Sequence, residues 1–391
     1  MSVRNSIKND VIKLTVDLIR INTVNPPGNE LEAAEFLASW MEKNGFDEVE
    51  IQKIDKNRGN IIGVIKGSGE KPSLIFNGHL DVAPPGDLRH WKYDPFEGVI
   101  ADGKIYGRGA ADMKSGLAAL TVAAKYVKKH EYKLKGDLIV SAVADEVHLS
   151  TGARVFAESK WFKNSCGIVI AEPTGLRLVT AHRGALWLKI ETFGKTAHTS
   201  MPHLGVNAIY HMTKIIEKLR EYRFKYSPVK ILPPPTLSVS VIQGGYRVNV
   251  VPDHCEIQVD IRTLPTQNHE EIINDIAKNI DELKKKDPTL KYKVSVIADR
   301  KPVHTDPNSP LVQKAIKVGK EVLNMDLKPE GAPFFSDAAE FIKHPGCPPV
   351  ILFAAADTEQ SHAINEHVEI DALERSVMFY MALAKEMLGE E

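Results

Sequence analysis

The sequence predicts an α/β protein, a larger domain with a mostly parallel sheet flanked by helices, interrupted by a ferredoxin-like α+β domain. Three observations predict it. Short apolar runs alternate with helical spacing as far as residue 180. A strand–helix–strand–strand–helix–strand order then fills 181–300, and the first style returns over 301–391. The 391 residues also exceed the roughly 250–300 over which a single core keeps growing. The expected organisation is therefore one domain built from 1–180 and 301–391, with 181–300 inserted as a second.

Each element has its own signal. Residues 6–20 carry Ile7, Val11, Leu14, Leu18 and Ile19 at helical spacing. The pattern repeats over 30–44 through Leu31, Ala34, Leu37, Ala38 and Met41, and Gly45 stops it. Strand-like runs follow at 49–54, 60–66 and 73–77. The Gly- and Pro-rich stretch 78–109 reads as one long loop, a length usually reserved for function. Residues 115–128 are helical, 137–144 a buried strand, 152–159 a helix and 167–171 another buried strand. Such alternation argues parallel pairing. In the insert, 185–193, 236–243, 256–262 and 291–298 read as strands, and 205–224 and 269–286 as helices. A helix over 310–323 and an apolar strand over 349–354 complete the pattern.

Composition excludes several function classes. Lys and Arg number 50 against 51 Asp and Glu, a net charge of -1 with the signs interspersed. A nucleic-acid binder would show a basic stripe, so none is expected as a partner. No run of 18 apolar residues exists, which argues against a membrane span. Residues 1–10 lack the basic-then-apolar pattern of a signal peptide. The three cysteines, Cys166, Cys255 and Cys347, are far apart and form no CxxC pair. A reducing, cytoplasmic setting is expected.

The chemistry gathers at strand ends. Directly after an apolar run stands Gly78-His79-Leu80-Asp81-Val82. In extended chain, residues i and i+2 face one way. His79 then reads as a metal ligand and Asp81 as the carboxylate that orients it. Gly107-Arg108-Gly109-Ala110-Ala111-Asp112 lacks the spacing of a phosphate loop and presents Asp112 before a helix. Ala144-Asp145-Glu146 and Ala171-Glu172-Pro173-Thr174 end two buried strands, where α/β proteins place ligand sites. His362-Ala363-Ile364-Asn365-Glu366 follows the last strand. His182, His203 and His211 read as structural or surface histidines.

These motifs, with 194–209 (GKTAHTSMPHLGVNAI) and 249–253 (NVVPD), run in order along nearly the whole chain. In them the sequence resembles the zinc-dependent family of acetylornithine deacetylase, succinyl-diaminopimelate desuccinylase, aminoacylase and carboxypeptidase-G-type enzymes. The resemblance implies one or two Zn2+ per subunit, with Co2+ or Mn2+ admitted by the same donors. His79 and Glu172 would bind the first ion, Asp112 would bridge, and His362 would bind the second. Glu146 would be the general base. His198 would stabilise the oxyanion, from a dimerisation or lid domain and often across a homodimer interface. Asn249 and Arg262 would contact substrate, an N-acyl amino acid or a dipeptide. The implied reaction is amide hydrolysis of the deacetylase or desuccinylase kind. Dipeptidase or carboxypeptidase action, or a metal-deficient binding protein, are the alternatives.

Two positions depart from the family pattern. Members carry a second Glu directly after the base, a ligand of the second ion, where this chain has Val147. A weakened second site, rescue by His148, or a register shift making Asp145 the base and Glu146 the ligand would each accommodate it. The second departure is Phe334-Phe335 before Ser336-Asp337, where relatives have a shorter glycine-rich turn. The two rings suit either an apolar pocket edge or the core.

Overall fold

The computed structural model describes residues 3–389; Met1, Ser2, Glu390 and Glu391, at the outer limits of the expected first domain, lie outside them. The chain divides into two compact units. One takes the chain up to Ala181, then His304–Glu330 and everything from Ser336 on; the other takes His182–Val303 with Gly331–Phe335. That the five residues Gly331–Phe335 join the second unit is invisible in the periodicity of the sequence.

The central sheet of the larger unit runs in the order Glu48–Lys53, Gly59–Ile65, Leu138–Val143, Ser73–His79, Ser165–Ile170, Val350–Leu352, Leu178–His182. Leu138–Val143, Ser73–His79, Ser165–Ile170 and Val350–Leu352 pair in parallel, and antiparallel pairs flank them. Every residue of Ser73–His79 and of Leu138–Val143 is buried, because helices cover both faces of a parallel sheet. Parallel strands share a direction, so their carboxyl ends emerge on one edge. One consequence is that residues distant in sequence meet there.

Helix Lys114–Lys129 packs beneath that edge through Leu117, Leu120 and Val127, all buried. Its first residue is a fully buried lysine, whose Nζ donates to the carbonyls of Leu18 and Ile21 at 2.9 and 2.7 Å. Burial pulls the Lys114 ammonium down to about 7. Those carbonyls close helix Val3–Arg20, and a cation there is favoured by the helix dipole.

The stretch 78–109 is not one loop, as the sequence predicts, but holds a hairpin of Val99–Ala101 and Lys104–Tyr106. The turn residues Asp102 and Gly103 both have positive φ, 51° and 74°. Asp-Gly in that conformation is the favoured two-residue hairpin turn, and it was the signal available in the sequence. Strand His367–Glu369 pairs with Lys104–Tyr106 to complete a small third sheet.

The second unit is an antiparallel sheet in the order Thr236–Gly244, His254–Thr263, Gly184–Phe193, Lys291–Arg300. With helices Ala208–Arg220 and His269–Lys286 this is the ferredoxin-like arrangement. Strict alternation buries Leu186, Leu188 and Ile190 against Ile272, Ile276 and Ile280 of the second helix, each worth about 1.5–3 kcal/mol. The first helix starts at Ala208 rather than 205, because Asn207 caps it, its side chain accepting from Tyr210 N at 3.2 Å.

Candidate metal centre

Four of the five expected strand-end groups gather around one imidazole. His79 Nε2 lies 3.0 Å from Asp112 Oδ1, 3.9 Å from Glu172 Oε1 and 4.0 Å from Glu146 Oε2. The fifth, His362, places Nε2 3.4 Å from the other Asp112 oxygen, Oδ2. Asp112 thus turns one oxygen to each histidine. His79, Asp112 and Glu172 offer one donor atom each within 4.8 Å of one another.

The His79 ring is set by a backbone group, which corrects the expected role of Asp81. His79 Nδ1–H donates to the Asp81 main-chain carbonyl at 2.9 Å, whereas the Asp81 carboxylate is 3.6 Å away. With Nδ1–H committed to that carbonyl, Nε2 is the ring nitrogen turned to the carboxylates, and it is the atom that would give up its proton to take a metal. The Asp81 carboxylate has a different task. Oδ1 accepts the backbone N–H of Glu146 at 3.1 Å, and Oδ2 accepts the backbone N–H of Val147 at 3.0 Å and the side-chain Nδ2–H of Asn25 at 2.9 Å. It therefore positions the segment that carries Glu146. Asp81→Asn turns an amide NH2 toward donors, so stability should drop by about 1–3 kcal/mol. In urea titrations and steady-state kinetics, kcat should fall while bound metal persists.

Asp145 is held elsewhere. Its carboxylate pairs with Arg58 and accepts from Asn25 Nδ2 at 2.9 Å and Thr151 Oγ1 at 2.6 Å. Glu146, not Asp145, reaches the His79 cluster, so the register-shift reading finds no support in this geometry. The His148 side chain is 60% exposed, with Nδ1 3.9 Å from Asp145 Oδ1, and it is not among the clustered donors.

Glu366 locks the Asp112 and His362 segments together, a function the sequence did not reveal. Its Oε1 accepts the backbone N–H groups of Gly109, Ala111 and Asp112 at 3.0, 2.8 and 3.0 Å. The other oxygen pairs with buried Arg108, whose Nη2 donates to the His362 carbonyl at 3.3 Å. Burial pushes the Glu366 carboxyl up to about 7 against the pull of Arg108. More than 250 positions separate Glu366 from these amides, so no local pattern could have signalled the contact.

Electrostatics favour a cation at this point. Burial opposes a charged His79, yet the hydrogen bond to Asp112 and the charges of Glu172, Asp112 and Asp81 outweigh it and raise its pKa well above the usual value. Burial also disfavours ionised Asp112, but His79 and His362 hold it below the ordinary range. Burial, then the Asp112 charge, push Glu172 well above its ordinary range. Negative charge is in excess there, and a divalent cation would relieve it. Imidazole nitrogen and carboxylate oxygen suit zinc and also cobalt or manganese. The donor set therefore fits such an ion.

Three expected site residues belong to the second unit. His198 Nδ1 accepts the backbone N–H of Ser200 at 3.2 Å, which leaves Nε2 to carry the proton. Asn249 is exposed, and its carbonyl accepts from Thr199 N at 3.3 Å. The bridge between His198 and Val250 holds these two segments side by side. Arg262 pairs with Asp260, Nη2 to Oδ2 at 3.0 Å, and its guanidinium lies 5.4 Å from the Phe335 ring centre. Arg300 covers the same ring at 4.0 Å. Phe335 is thus a platform for two guanidiniums. His182 is buried with Nδ1 on the Arg183 carbonyl, His211 pairs with Asp287 at 3.2 Å, and His203 is exposed. A second donor group, Glu191, His254 and Glu256, already has a counter-charge in Lys189, 3.5 and 3.9 Å from the two acids.

Imidazole and carboxylates at the carboxyl edge of a parallel sheet, in a chain that also carries an inserted ferredoxin-like unit, define a metal-dependent hydrolase of amide bonds. The family model described as peptidase family M20/M25/M40 matches residues 75–386, and the chain belongs to that family. A probable succinyl-diaminopimelate desuccinylase of Staphylococcus aureus is 27% identical over 413 aligned positions, covering 97% of this chain and 98% of the relative. Among solved structures, an M20 family metallo-carboxypeptidase from Sulfolobus solfataricus superposes with a TM-score of 0.80 at 20% identity, covering 97% of this chain and 99% of that one. A dinuclear metal-binding M20 peptidase from Bacillus subtilis gives 0.74 at 16% identity, covering 98% and 99%. No helix among the described residues is long and apolar enough to cross a membrane.

Proposed function

We propose that this protein hydrolyses the amide bond of small N-acyl amino acids that carry a free carboxylate, in the manner of a deacetylase or desuccinylase. The observation that carries the reading is Glu146, almost buried and 4.0 Å from an imidazole that shares its site with Asp112 and Glu172. His79, Asp112 and Glu172 would hold a zinc ion, or cobalt or manganese. When bound, such a cation supplies Lewis acidity that polarises the carbonyl and lowers the pKa of water. Glu146 takes the proton of the attacking water and returns it to the departing amine nitrogen. His198 presents Nε2–H as a donor to the oxygen that gains charge. Arg262, steadied on Phe335, binds the substrate carboxylate through its fork, and Asn249 adds a polar contact.

The second unit supports action as a homodimer. Arg262 pairs in register with Ala185 and His254 with Phe193, so the Arg262 and His198 ends of the sheet lie roughly 26 Å apart at about 3.3 Å per residue. That separation favours a reading in which one small substrate meets Arg262 of one chain and His198 and Asn249 of a second copy. Close to Asn249, Val248 is 98% exposed with Tyr246 and Tyr210 also exposed, beside edge strand Thr236–Gly244. Such a patch favours association. Sedimentation should give a dimer, and a fully active monomer would reject this arrangement.

The central test is a substrate panel after chelation. N-succinyl and N-acetyl amino acids should be cleaved only once zinc, cobalt or manganese is restored. Dipeptides should be cleaved at least about tenfold more slowly, the scale of a missing or misplaced pocket contact. Preference for dipeptides would move the assignment to a peptidase, and turnover unaffected by chelation would remove the metal from the reading.

A further inference from the structure

We infer that the centre of each chain holds one cation tightly, on His79, Asp112 and Glu172, and that its Asp112–His362 side is too poor in donors to retain a second. The inference rests on the metallo-hydrolase reading above and specifies the composition of that site.

The two sides of Asp112 differ in what faces them. On the Oδ1 side, His79 stands at 3.0 Å and Glu172 completes three protein donors within 4.8 Å. Three protein donors and one open position are the usual complement of a catalytic zinc. On the Oδ2 side stands His362, at 3.4 Å and 57% exposed. Among the described residues, the groups of three such donors within 4.8 Å are His79–Asp112–Glu172 and Glu191–His254–Glu256, and neither includes His362.

The segment after Glu146 cannot make up the deficit. Val147 has a hydrocarbon side chain, and its N–H is tied to Asp81 Oδ2 at 3.0 Å. The preceding N–H, of Glu146, is tied to Oδ1 of the same carboxylate, so the backbone is pinned at two successive positions. Asp145 is committed to Arg58, Asn25 and Thr151. His148 lies on the exposed side of the turn near Asp145. Bringing Asp145 round to Asp112 would break buried charge-assisted hydrogen bonds, the most costly kind to lose, and bringing His148 round would have to shift a backbone that Asp81 holds at the two preceding positions. Among the described residues this leaves one carboxylate oxygen and one half-exposed imidazole, and water must fill the rest of any coordination shell there.

The test counts ions rather than turnover. Purified protein is loaded with excess zinc, passed through a desalting column, and its zinc measured by mass spectrometry. About one zinc per chain is expected, the complement of a single three-donor site; about two would overturn the inference. Val147→Glu adds the missing carboxylate and should raise the retained zinc to about two per chain. A natively folded Val147→Glu protein that stays at one would also overturn it. If that variant does not fold, His362→Ala decides: zinc should stay near the wild-type level, and a fall to half or less would show that His362 serves the tight ion. Glu172→Ala should lose nearly all the zinc. The two readings fail separately. Two tight ions with normal hydrolysis overturn only this inference, whereas wild-type protein that retains no zinc and hydrolyses no amide overturns the metallo-hydrolase reading with it.

Discussion

Glu146→Gln should lower kcat by about 10²–10⁴-fold, the usual contribution of a positioned general base, while bound metal stays at the wild-type level. Glutamine keeps the shape and one acceptor oxygen but cannot take up a proton near neutral pH. The backbone at 146 stays in place because its N–H still donates to Asp81 Oδ1. The metal should be retained because the clustered donors are His79, Asp112 and Glu172. Kinetics on the preferred N-acyl substrate and metal analysis of the same preparation read both quantities. Lost metal combined with intact residual turnover would make Glu146 a ligand rather than the base.

Glu366→Ala should be the most destabilising single change at the site, by about 3–5 kcal/mol, because it strands the buried Arg108 charge. It also removes the common acceptor of three backbone amides, which lie in the Gly109–Asp112 turn. The turn carries a metal donor, so metal retention should weaken along with stability. Glu366→Gln keeps a carbonyl oxygen for the amides but no charge for Arg108 and should fall between the two. The double variant Arg108→Met with Glu366→Ala should be less damaged than the two single changes added together, since no unpaired charge remains. Urea midpoints of the wild type, Glu366→Ala, Glu366→Gln, Arg108→Met and the double variant measure this. Additive losses would mean that the buried pair does not act as a unit.

The two predictions draw on different kinds of knowledge. Glu146 is legible in the sequence because it sits at the end of an apolar strand, and its neighbours in the site stand at other strand ends with their own motifs. The ferredoxin-like insert is legible because Leu186, Leu188 and Ile190 alternate while Ile272, Ile276 and Ile280 recur every four residues. The hairpin around Asp102-Gly103 was within reach but is masked by the surrounding Gly- and Pro-rich composition. Asp81 shows the limit of local reasoning. The i, i+2 rule places its side chain on the same side as His79, yet nothing in the sequence says that its own carbonyl, 2.9 Å from the ring, would take the contact.

The order and type of the elements, the order of the motifs and the donor chemistry were set by residues within a few positions of one another, and periodicity and side-chain identity alone determine them. Which of those groups touch was decided only by tertiary structure. Parallel strands bring His79, Glu146 and Glu172 to one edge, the turn before helix Lys114–Lys129 and the loop after Val350–Leu352 bring Asp112 and His362 to them, and buried polar groups there must find partners wherever the chain brings them. Glu366 on three distant amides, Asp81 beneath Glu146 and Phe335 under Arg262 are the result of that requirement, and it acts through space rather than along the chain.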